Sequence, residues 1–274
     1  MTDISHAVLT DTHCHLDFSA FENDRLEVLE RAKKAGLTHI VNPGINISSS
    51  FEAVNLSEKY PEVYAAVGIH PNDATTWNDG SFDQINNLTK HLKVVAIGEI
   101  GLDYYRDQAP RELQRQLFRE QLRLAAQNNL PVIIHSRQAS SDILSILIEW
   151  IADLKTDHPR LAQRPGVLHS YSGDLETARQ AIELNFKIGI TGPVTFHNAS
   201  KLQQLVTAIP LTHLLVETDA PFLTPHPHRG RRNEPAYVRL VVEKIAELHK
   251  QPFALVAETT TQNATMLFNW REQA

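Results

Sequence analysis

Eight short apolar runs alternate with longer amphipathic stretches along almost the whole chain, and this alternation limits the folds open to it. The runs are "HAVLT", "THIVN", "VYAAVGI", "VVAIGE", "PVIIH", "GVLHS", "FKIGIT" and "HLLVET". Between them lie segments with helical spacing, of which "RELQRQLFREQLRLAAQ" is the clearest. Strands that alternate with helices predict a parallel sheet, and eight such units in 274 residues predict a closed (β/α)₈ barrel of the TIM type.

A doubly wound open sheet is the alternative, because it is built from the same alternation. The first strand-to-helix turn lacks the G-x-G-x-x-G fingerprint of dinucleotide-binding sheets, which favours the barrel. No linker-like stretch rich in Pro, Gly or Ser divides the chain. We therefore expect a single TIM-like domain over 1–274, with an additional helix at roughly 252–268.

Composition narrows the class of protein. The apolar fraction of 42% and the charged fraction of 21% are typical of a globular protein with an ample core. The single cysteine, Cys14, excludes an intramolecular disulfide, and no apolar run approaches membrane-spanning length. We expect a cytoplasmic protein without an obligate protein partner. A net charge of −6 argues against a protein that coats duplex DNA, although an enzyme that grips one strand end stays open.

Titratable side chains end most of the apolar runs. They are His13 and His15 after the first run, His70 after the third, Glu99 after the fourth, His135 after the fifth, His169 after the sixth, and Glu217 and Asp219 after the eighth. A lone His-x-His is weak evidence in a chain with 14 histidines, and His70 alone could simply cap a turn. In a barrel, however, all these strand ends share one rim. Such a cluster needs compensation, which divalent cations supply, so the pattern predicts a metal site.

The motifs at these strand ends resemble those of the TatD-type metal-dependent deoxyribonucleases and hydrolases. The similarity covers nearly the whole chain and includes "DTHCHLD", "GIHP", "GEIGLDYY", "PVIIHSR", "HSYSG", "TGPVTF", "ETDAPFLTP" and "RGRRNEPAYV" in the family's order. Two departures touch no implied ligand: Phe222 stands where the family often has Tyr, and "HSYSG" where "HCFSG" is frequent. The resemblance implies a TIM-like barrel that hydrolyses phosphodiester bonds in DNA.

The resemblance also implies two divalent metal ions. The implied ligands are His13, His15 and Asp219 for one ion, His135 and His169 for the other, and Glu99 as a bridge between them. Two ions ~3.5–4 Å apart activate a water and stabilise the attacking and leaving oxygens of a phosphoryl displacement. The family implies Mg²⁺, whereas ligation rich in imidazole suits Zn²⁺ or Mn²⁺.

Within that mechanism, two carboxylates are predicted to be catalytic. Glu99 partly neutralises two cations held close together, which an imidazole cannot do. Asp219 binds one ion and accepts the proton of the attacking water, so we interpret it as both ligand and general base.

Other residues near the strand ends are candidates for contact with the substrate. Arg137, two residues beyond His135, is predicted to pair with a phosphate oxygen. His70 and Arg229 are weaker candidates for the same task. Either Tyr104 or Tyr105 is a candidate for stacking on a nucleobase, with core packing as the alternative.

The predicted function is therefore that of a metal-dependent deoxyribonuclease that acts on single-stranded DNA ends as a 3′–5′ exonuclease. An amide or lactone hydrolase on the same binuclear barrel is the alternative, because fold does not fix function. Related amidohydrolases often bridge their metals with a modified lysine at the end of strand four, where this chain has Glu99 and its nearest lysine is Lys93. A non-catalytic metal-binding module would be expected to have lost a ligand, and none is lost here.

Overall fold

The computed structural model describes residues 7–78, 80–106 and 108–270. Within these residues eight parallel strands pair in chain order from β1 to β8. The strands are β1 Leu9–Asp11, β2 Leu37–Pro43, β3 Val63–Val67, β4 Val94–Asp103, β5 Val132–Arg137, β6 Gly166–Leu168, β7 Lys187–Ile190 and β8 Leu214–Val216. Parallel neighbours require a crossover between each pair, and the amphipathic stretches of the sequence supply it.

Helices form these crossovers and follow the last strand. They are α1 Arg25–Lys34, α2 Ile47–Lys59, α3 Ser81–Leu88, α4 Arg111–Asn128, α5 Ser140–Asp157, α6 Pro159–Ala162, α7 Leu175–Glu183, α8 Ser200–Ala208, α9 Val238–His249 and α10 Phe253–Phe268. Helix α4 buries Leu117 and Leu124 and ends at Asn128. Asn129 follows it in the left-handed conformation common after a helix. Over the part of the chain that the structure describes, no helix is long and apolar enough to cross a membrane.

The first and last strands meet and close the sheet. The amide of Thr12 donates to the carbonyl of Val216 over 3.2 Å, and the amide of His15 donates to the carbonyl of Ala220 over 2.8 Å. Cys14 and Ala220 form a parallel bridge between these two hydrogen bonds. The predicted barrel is therefore confirmed and the open sheet is wrong. We call this junction of β1 and β8 the seam.

The two faces of the strands pack into separate apolar clusters. Ile40 belongs to a large cluster that the helices cover, whereas its neighbour Val41 belongs to a smaller one. The smaller cluster fills the interior of the barrel. Its buried members are Val41, Tyr64, Ala66, Val95, Ala96, Ile133, Val167, Leu215, Ala264, Leu267 and Phe268. Cys14 packs in the large cluster, as expected for a residue that points away from its flanking histidines.

Aromatic residues close the amino end of the barrel. The ring of Trp270 lies 4.7 Å from the rings of both His39 and Tyr64 and 5.1 Å from that of Phe268. We call these four residues the aromatic plug. Phe268 is the last residue of helix α10, which contacts β1 and β8, and Trp270 follows that helix. The plug leaves the opposite, carboxyl end of the barrel as the end that is open to solvent.

Strand β4 runs further than the sequence predicts. It continues past Glu99 to Asp103, and its pairing with β5 is irregular between Ile97 and Ile100. An irregularity of this kind re-aims a side chain without ending the strand. Gly101 has φ +139°, and a Cβ there would lie 2.1 Å from the carbonyl oxygen of His135. The extension thus depends on a glycine, and Glu99 occupies a bend within β4 instead of its end.

Candidate metal centre

The ligands implied by the family resemblance come together at the carboxyl end of the barrel. They are His13, His15, Glu99, His135, His169 and Asp219. At the seam, the Nε2 atoms of His13 and His15 are 3.2 Å apart. Oδ1 of Asp219 lies 3.8 Å from the first of these nitrogens and 3.6 Å from the second. These three side chains, predicted to hold one ion, form one compact group.

The two carboxylate oxygens of Glu99 face different histidines. Oε2 lies 3.4 Å from Nε2 of His13 and 3.7 Å from Nε2 of His15. Oε1 lies 2.9 Å from Nδ1 of His135 and 3.9 Å from Nε2 of His169. A carboxylate that presents one oxygen to each group has the arrangement required of a bridge between two cations.

The spacing and chemistry of these groups fit divalent ions. Ligand atoms bound tetrahedrally at ~2.0–2.1 Å are ~3.3 Å apart, close to the 3.2 Å and 3.4 Å at the seam. Burial opposes charge on Glu99, but the neighbouring His13 and His70 outweigh it and hold the pKa of Glu99 well below its usual value. Burial and the adjacent His169 lower the pKa of His13. At His15, His135 and His169 burial is outweighed by nearby carboxylates, which raise the pKa of each imidazole. A cation that binds these imidazoles in their neutral form therefore displaces protons from them.

Two of the ligand histidines have a carboxylate behind them. Nδ1 of His169 is hydrogen-bonded to Oε2 of Glu217, and Nε2 of His135 lies 3.2 Å from Oδ2 of Asp103. Partners of this kind fix the orientation of a ligating imidazole. A Cβ at Gly189 would lie 1.5 Å from Oε1 of Glu217, so glycine in β7 makes room for this carboxylate. Neither Asp103 nor Glu217 is among the predicted site residues, although both lie in motifs at strand ends.

Asp11 is a third buried carboxyl group, and it ties the seam together. It accepts hydrogen bonds from the amide of His13 over 3.3 Å and from the amide and hydroxyl of Thr218 over 2.9 and 2.5 Å. Burial raises the pKa of Asp11 to about 8. Asp219, one residue beyond Thr218, has φ +55°, a left-handed conformation that Asp tolerates better than most residues. The seam therefore holds Asp219 in place through its backbone.

His70 combines the two interpretations offered by the sequence. Its Nδ1 accepts a hydrogen bond from the amide of Asn72 over 3.1 Å and so caps the 3₁₀ turn Pro71–Thr76. Burial lowers the pKa of His70 to about 3, so the imidazole is neutral and its proton is on Nε2. Nε2 lies 3.7 Å from Oε1 of Glu99. His70 thus faces the centre as a hydrogen-bond donor, which suits contact with phosphate better than ligation.

The candidate contacts with substrate differ in their surroundings. The guanidinium of Arg137 lies 4.0 Å from the ring centre of Tyr105, whose side chain is exposed. Tyr104 instead donates its hydroxyl proton to Asp142 over 2.5 Å, which makes it a structural residue. Arg229 lies over the ring of Phe196 at 4.3 Å.

A cavity of about 730 Å³ opens over the ligands. Arg137 and His70 line it together with His15, Glu99 and Asp219. Arg229 is not among the described residues that form its wall.

Comparison with known proteins agrees with this geometry. The family described as "TatD related DNase" matches residues 10–269. The chain belongs to this family. It is 44% identical over 261 residues to the uncharacterized metal-dependent hydrolase YabD of Bacillus subtilis. The aligned region covers 95% of this chain and 99% of YabD. It is 36% identical over 264 residues to the 3′-5′ ssDNA/RNA exonuclease TatD of Pectobacterium carotovorum. The aligned region covers 94% of this chain and 98% of that protein.

A solved structure of the TatD family has the same architecture. The crystal structure of YjjV, a TatD homologue from Escherichia coli, superposes with a TM-score of 0.88 at 36% identity and covers 95% of this chain and 98% of YjjV. The predicted family, barrel fold and enzyme class are therefore confirmed: the chain is a TatD-family metal-dependent hydrolase, an enzyme that acts on ester bonds. The roles of individual residues stay predictions.

Proposed function

We propose that this TatD-family hydrolase cleaves phosphodiester bonds of DNA from single-stranded ends, in the 3′–5′ direction, with two divalent cations. The observation that carries the proposal is the carboxylate of Glu99, whose two oxygens face two separate groups of histidines. The relatives named 3′-5′ ssDNA/RNA exonuclease support the choice of a nucleic acid substrate. The same name makes RNA a second substrate to be tested.

The buried ligands would hold the two ions on either side of Glu99. We propose that one ion takes His13, His15 and Asp219, which form one candidate metal group, and that the other takes His135 and His169, which lie in two groups that share Glu99. Bound divalent cations supply a Lewis acid that activates water and neutralises charge on the phosphoryl group. Mg²⁺ is the family's cation, while the four imidazoles favour Mn²⁺ or Zn²⁺ as alternatives.

Asp219 is proposed as the proton acceptor. Burial opposes its ionisation, but His15, His169 and His13 outweigh burial and lower the pKa of Asp219. The carboxylate is therefore ionised at neutral pH and available to take the proton that the attacking water loses. As water adds to phosphorus, the bond to the leaving sugar oxygen breaks, and the nucleotide is released.

We propose that two donors bind phosphate groups of the substrate. The Nε2 proton of His70 points toward the centre and is proposed to donate to a phosphoryl oxygen. The guanidinium of Arg137 has no ion-pair partner among residues 7–78, 80–106 and 108–270. It is therefore free to take a phosphate, which a planar guanidinium binds well. Arg229 is proposed as a weaker contact at the edge of the rim.

Single-stranded ends fit the shape and charge of this site. The ligands lie within the mouth of a barrel, beneath a cavity that admits a few nucleotides. A net charge of −6 leaves little basic surface to hold a duplex beyond the mouth. We also propose that the enzyme acts in the cytosol, since its one cysteine is a buried free thiol.

The alternative of an amide or lactone hydrolase loses support from the position of Lys93. Its ammonium donates to the carbonyls of Ser57, Tyr60 and Pro61 over 2.8 to 2.9 Å, near the amino end of the barrel. It therefore cannot bridge cations at the carboxyl end. Glu99 occupies that position, and its negative charge suits the hydrolysis of phosphoesters.

The test is to strip the protein of metal, reload it with Mg²⁺, Mn²⁺ or Zn²⁺ in turn, and assay five substrates. These are linear single-stranded DNA, linear duplex, circular duplex, RNA and a panel of small amides and lactones. We expect 3′-end release of nucleotides from single strands, with little activity on circular duplex. Equal rates on circular duplex and single strands would refute end-directed cleavage, and hydrolysis of the amide panel alone would refute the phosphoesterase.

A variant tests the bridge within the same assay. Glu99→Gln keeps the shape of the side chain but removes the charge that holds two cations together. Turnover should fall on the order of 1,000-fold, the size found when a key electrostatic group is removed from an active site. Metal content measured by mass spectrometry should fall with it. Glu62→Gln is the matched control, because Glu62 is a buried carboxylate that pairs with Lys33 at 3.0 Å, away from the cavity. Full metal occupancy with normal activity would contradict the bridge.

A further inference from the structure

An apolar shelf borders the ligands on one side of the cavity. It consists of Phe18, Phe222 and Leu223, all three of which line the cavity. The side chain of Phe222 is 51% exposed, which is costly for a large aromatic residue. Its ring lies 5.9 Å from that of Phe18 and 6.5 Å from that of the ligand His15. Exposed apolar surface beside polar ligands marks a place where something apolar binds.

The shelf is rigid. The amide of Phe222 donates to the carbonyl of Asp219 over 2.9 Å, and its carbonyl accepts from the side-chain amide of Asn233 over 2.6 Å. The same Asn233 amide donates to the carbonyl of Thr218 over 2.9 Å. Leu223 has φ +53°, a conformation that is strained for leucine and persists only where the surroundings impose it. A ring carried on a fixed backbone requires no ordering of that backbone when a planar ligand stacks on it.

The opposite side of the cavity carries an arginine flank, which we define as Arg106 and Arg137 with Tyr105. Asp103 fixes this loop, because its Oδ1 accepts from the amides of Tyr105 and Arg106 over 3.0 and 2.9 Å. The guanidinium of Arg137 covers one face of the Tyr105 ring. Within the described chain, neither arginine of the flank has a carboxylate at ion-pair distance.

The two sides offer different chemistry to a nucleotide chain. The shelf offers an open aromatic face and no cation, whereas the flank offers two guanidinium groups. A phosphodiester at the ligands therefore has one neighbour on the shelf and the other on the flank. The longer part of the strand carries more phosphates, so its negative charge is matched by the two arginines of the flank. The terminal nucleotide then lies on the shelf.

We propose that Phe222 is the stacking platform for the base of the terminal nucleotide that is released, while Arg137 and Arg106 bind the phosphates of the strand that remains. The inference rests on the proposed function and names the part of the substrate that each side of its site recognises. The inference assigns recognition of the terminal nucleotide to Phe222, which is not a candidate metal ligand. Because every base has a π-face, the platform should accept all bases.

The experiment compares single-stranded oligonucleotides with a normal or an abasic 3′-terminal nucleotide. Stacking worth ~1–3 kcal/mol per base predicts that the wild type prefers the normal end by about 10-fold in kcat/KM. Phe222→Ala should lose about 10-fold on the normal end and almost nothing on the abasic end, and Phe222→Trp should restore the preference. Phe51→Ala is the control, since Phe51 is an exposed phenylalanine on α2 outside the cavity wall. An equal loss on both ends, or a loss tied to the penultimate base, would overturn the proposal.

A binding measurement separates this proposal from the proposed function. The probe is an oligonucleotide with 2-aminopurine at its 3′ end and a cleavage-resistant terminal linkage, because stacking on an aromatic ring quenches this base. We expect quenching by the wild type and by Phe222→Trp but not by Phe222→Ala. Quenching without cleavage of any natural strand would refute the nuclease and keep the platform. Cleavage without quenching would refute the platform and keep the nuclease.

Discussion

The two ends of the barrel bury polar groups in opposite ways. At the amino end, Lys93 donates to three carbonyl oxygens and lies 5.0 Å from the ring centre of Tyr64. Its hydrogen-bonding capacity is satisfied within the fold. At the carboxyl end, His13, His15 and Glu99 face one another with acceptor atoms 3.2 to 3.7 Å apart.

This difference in hydrogen bonding distinguishes a structural polar group from a functional one. A buried cation whose protons all meet acceptors stabilises the strands and loops around it. A buried set whose acceptors converge on a common point is incomplete without a cation, and such sets mark reactive sites. The same eight strands support both ends, so substitutions at each end should separate catalysis from stability.

The largest effect on catalysis is expected at the seam. Asp219→Asn removes a ligand charge and the proposed proton acceptor together, so kcat should fall by about 10³-fold or more at every substrate concentration. Far-ultraviolet circular dichroism should show an unchanged fold. Steady-state kinetics at saturating metal decide the matter. Retention of most of kcat would place the proton acceptor elsewhere and weaken the contrast between the two ends.

A smaller effect is expected from the carboxylate behind His169. Glu217→Gln keeps the volume of the side chain but removes the charge that orients the imidazole, so metal affinity should fall roughly 10- to 100-fold. Excess metal should restore most of the activity, whereas it should not rescue Asp219→Asn. Metal titration followed by activity measures this. Asp103→Asn, behind His135, is the parallel variant, and loss of activity that no metal concentration restores would contradict a positioning role.

A third variant tests the arginine flank. Arg137→Ala should raise KM by about 10-fold and change kcat little, if its phosphate contact is equally strong in the ground and transition states. Arg229→Ala should raise KM less, because that guanidinium lies over Phe196 outside the cavity wall. The readout is the separate measurement of kcat and KM on single-stranded DNA. A loss in kcat alone would mean that Arg137 stabilises the transition state.

The smallest effect on catalysis is expected at the aromatic plug. Trp270→Ala removes three ring contacts, each worth ~0.5–1.5 kcal/mol, so stability should fall by about 2 kcal/mol. The kcat/KM at 25 °C should be unchanged. Trp270→Phe retains a ring and should keep most of the stability, as thermal denaturation will show. A large loss of kcat in Trp270→Ala would show that the two ends are coupled.

Much of the fold, and the clustering of the candidate ligands, could be predicted from the sequence. Strand ends share one rim of a barrel, so the position of a histidine after an apolar run already indicates where it points. The pairs behind the ligands could not be predicted. Glu217 and His169 are 48 positions apart, and Asp103 and His135 are 32 apart, so their contact depends on strand register. The irregularity in β4 was missed because Gly98 and Gly101 stand in an apolar run that leaves no periodic signal.

The choice between the two tyrosines also needed three dimensions. Tyr104 and Tyr105 are neighbours with equal chemistry, and the sequence left stacking and packing open for both. The structure separates them, because Asp142 on α5 holds the hydroxyl of Tyr104. Phe222 was identified only as a departure from the family pattern. Its exposure depends on how the chain turns after β8, which the sequence pattern does not determine.

The seam has a consequence for folding of the chain during its synthesis on the ribosome. Thr12 bonds to Val216 across 204 positions, and the ligands of one proposed ion come from both sides of that junction. A nascent chain that has emerged only as far as β7 carries His13 and His15 but lacks Asp219. The candidate centre therefore assembles only after β8 has been synthesised and has paired with β1.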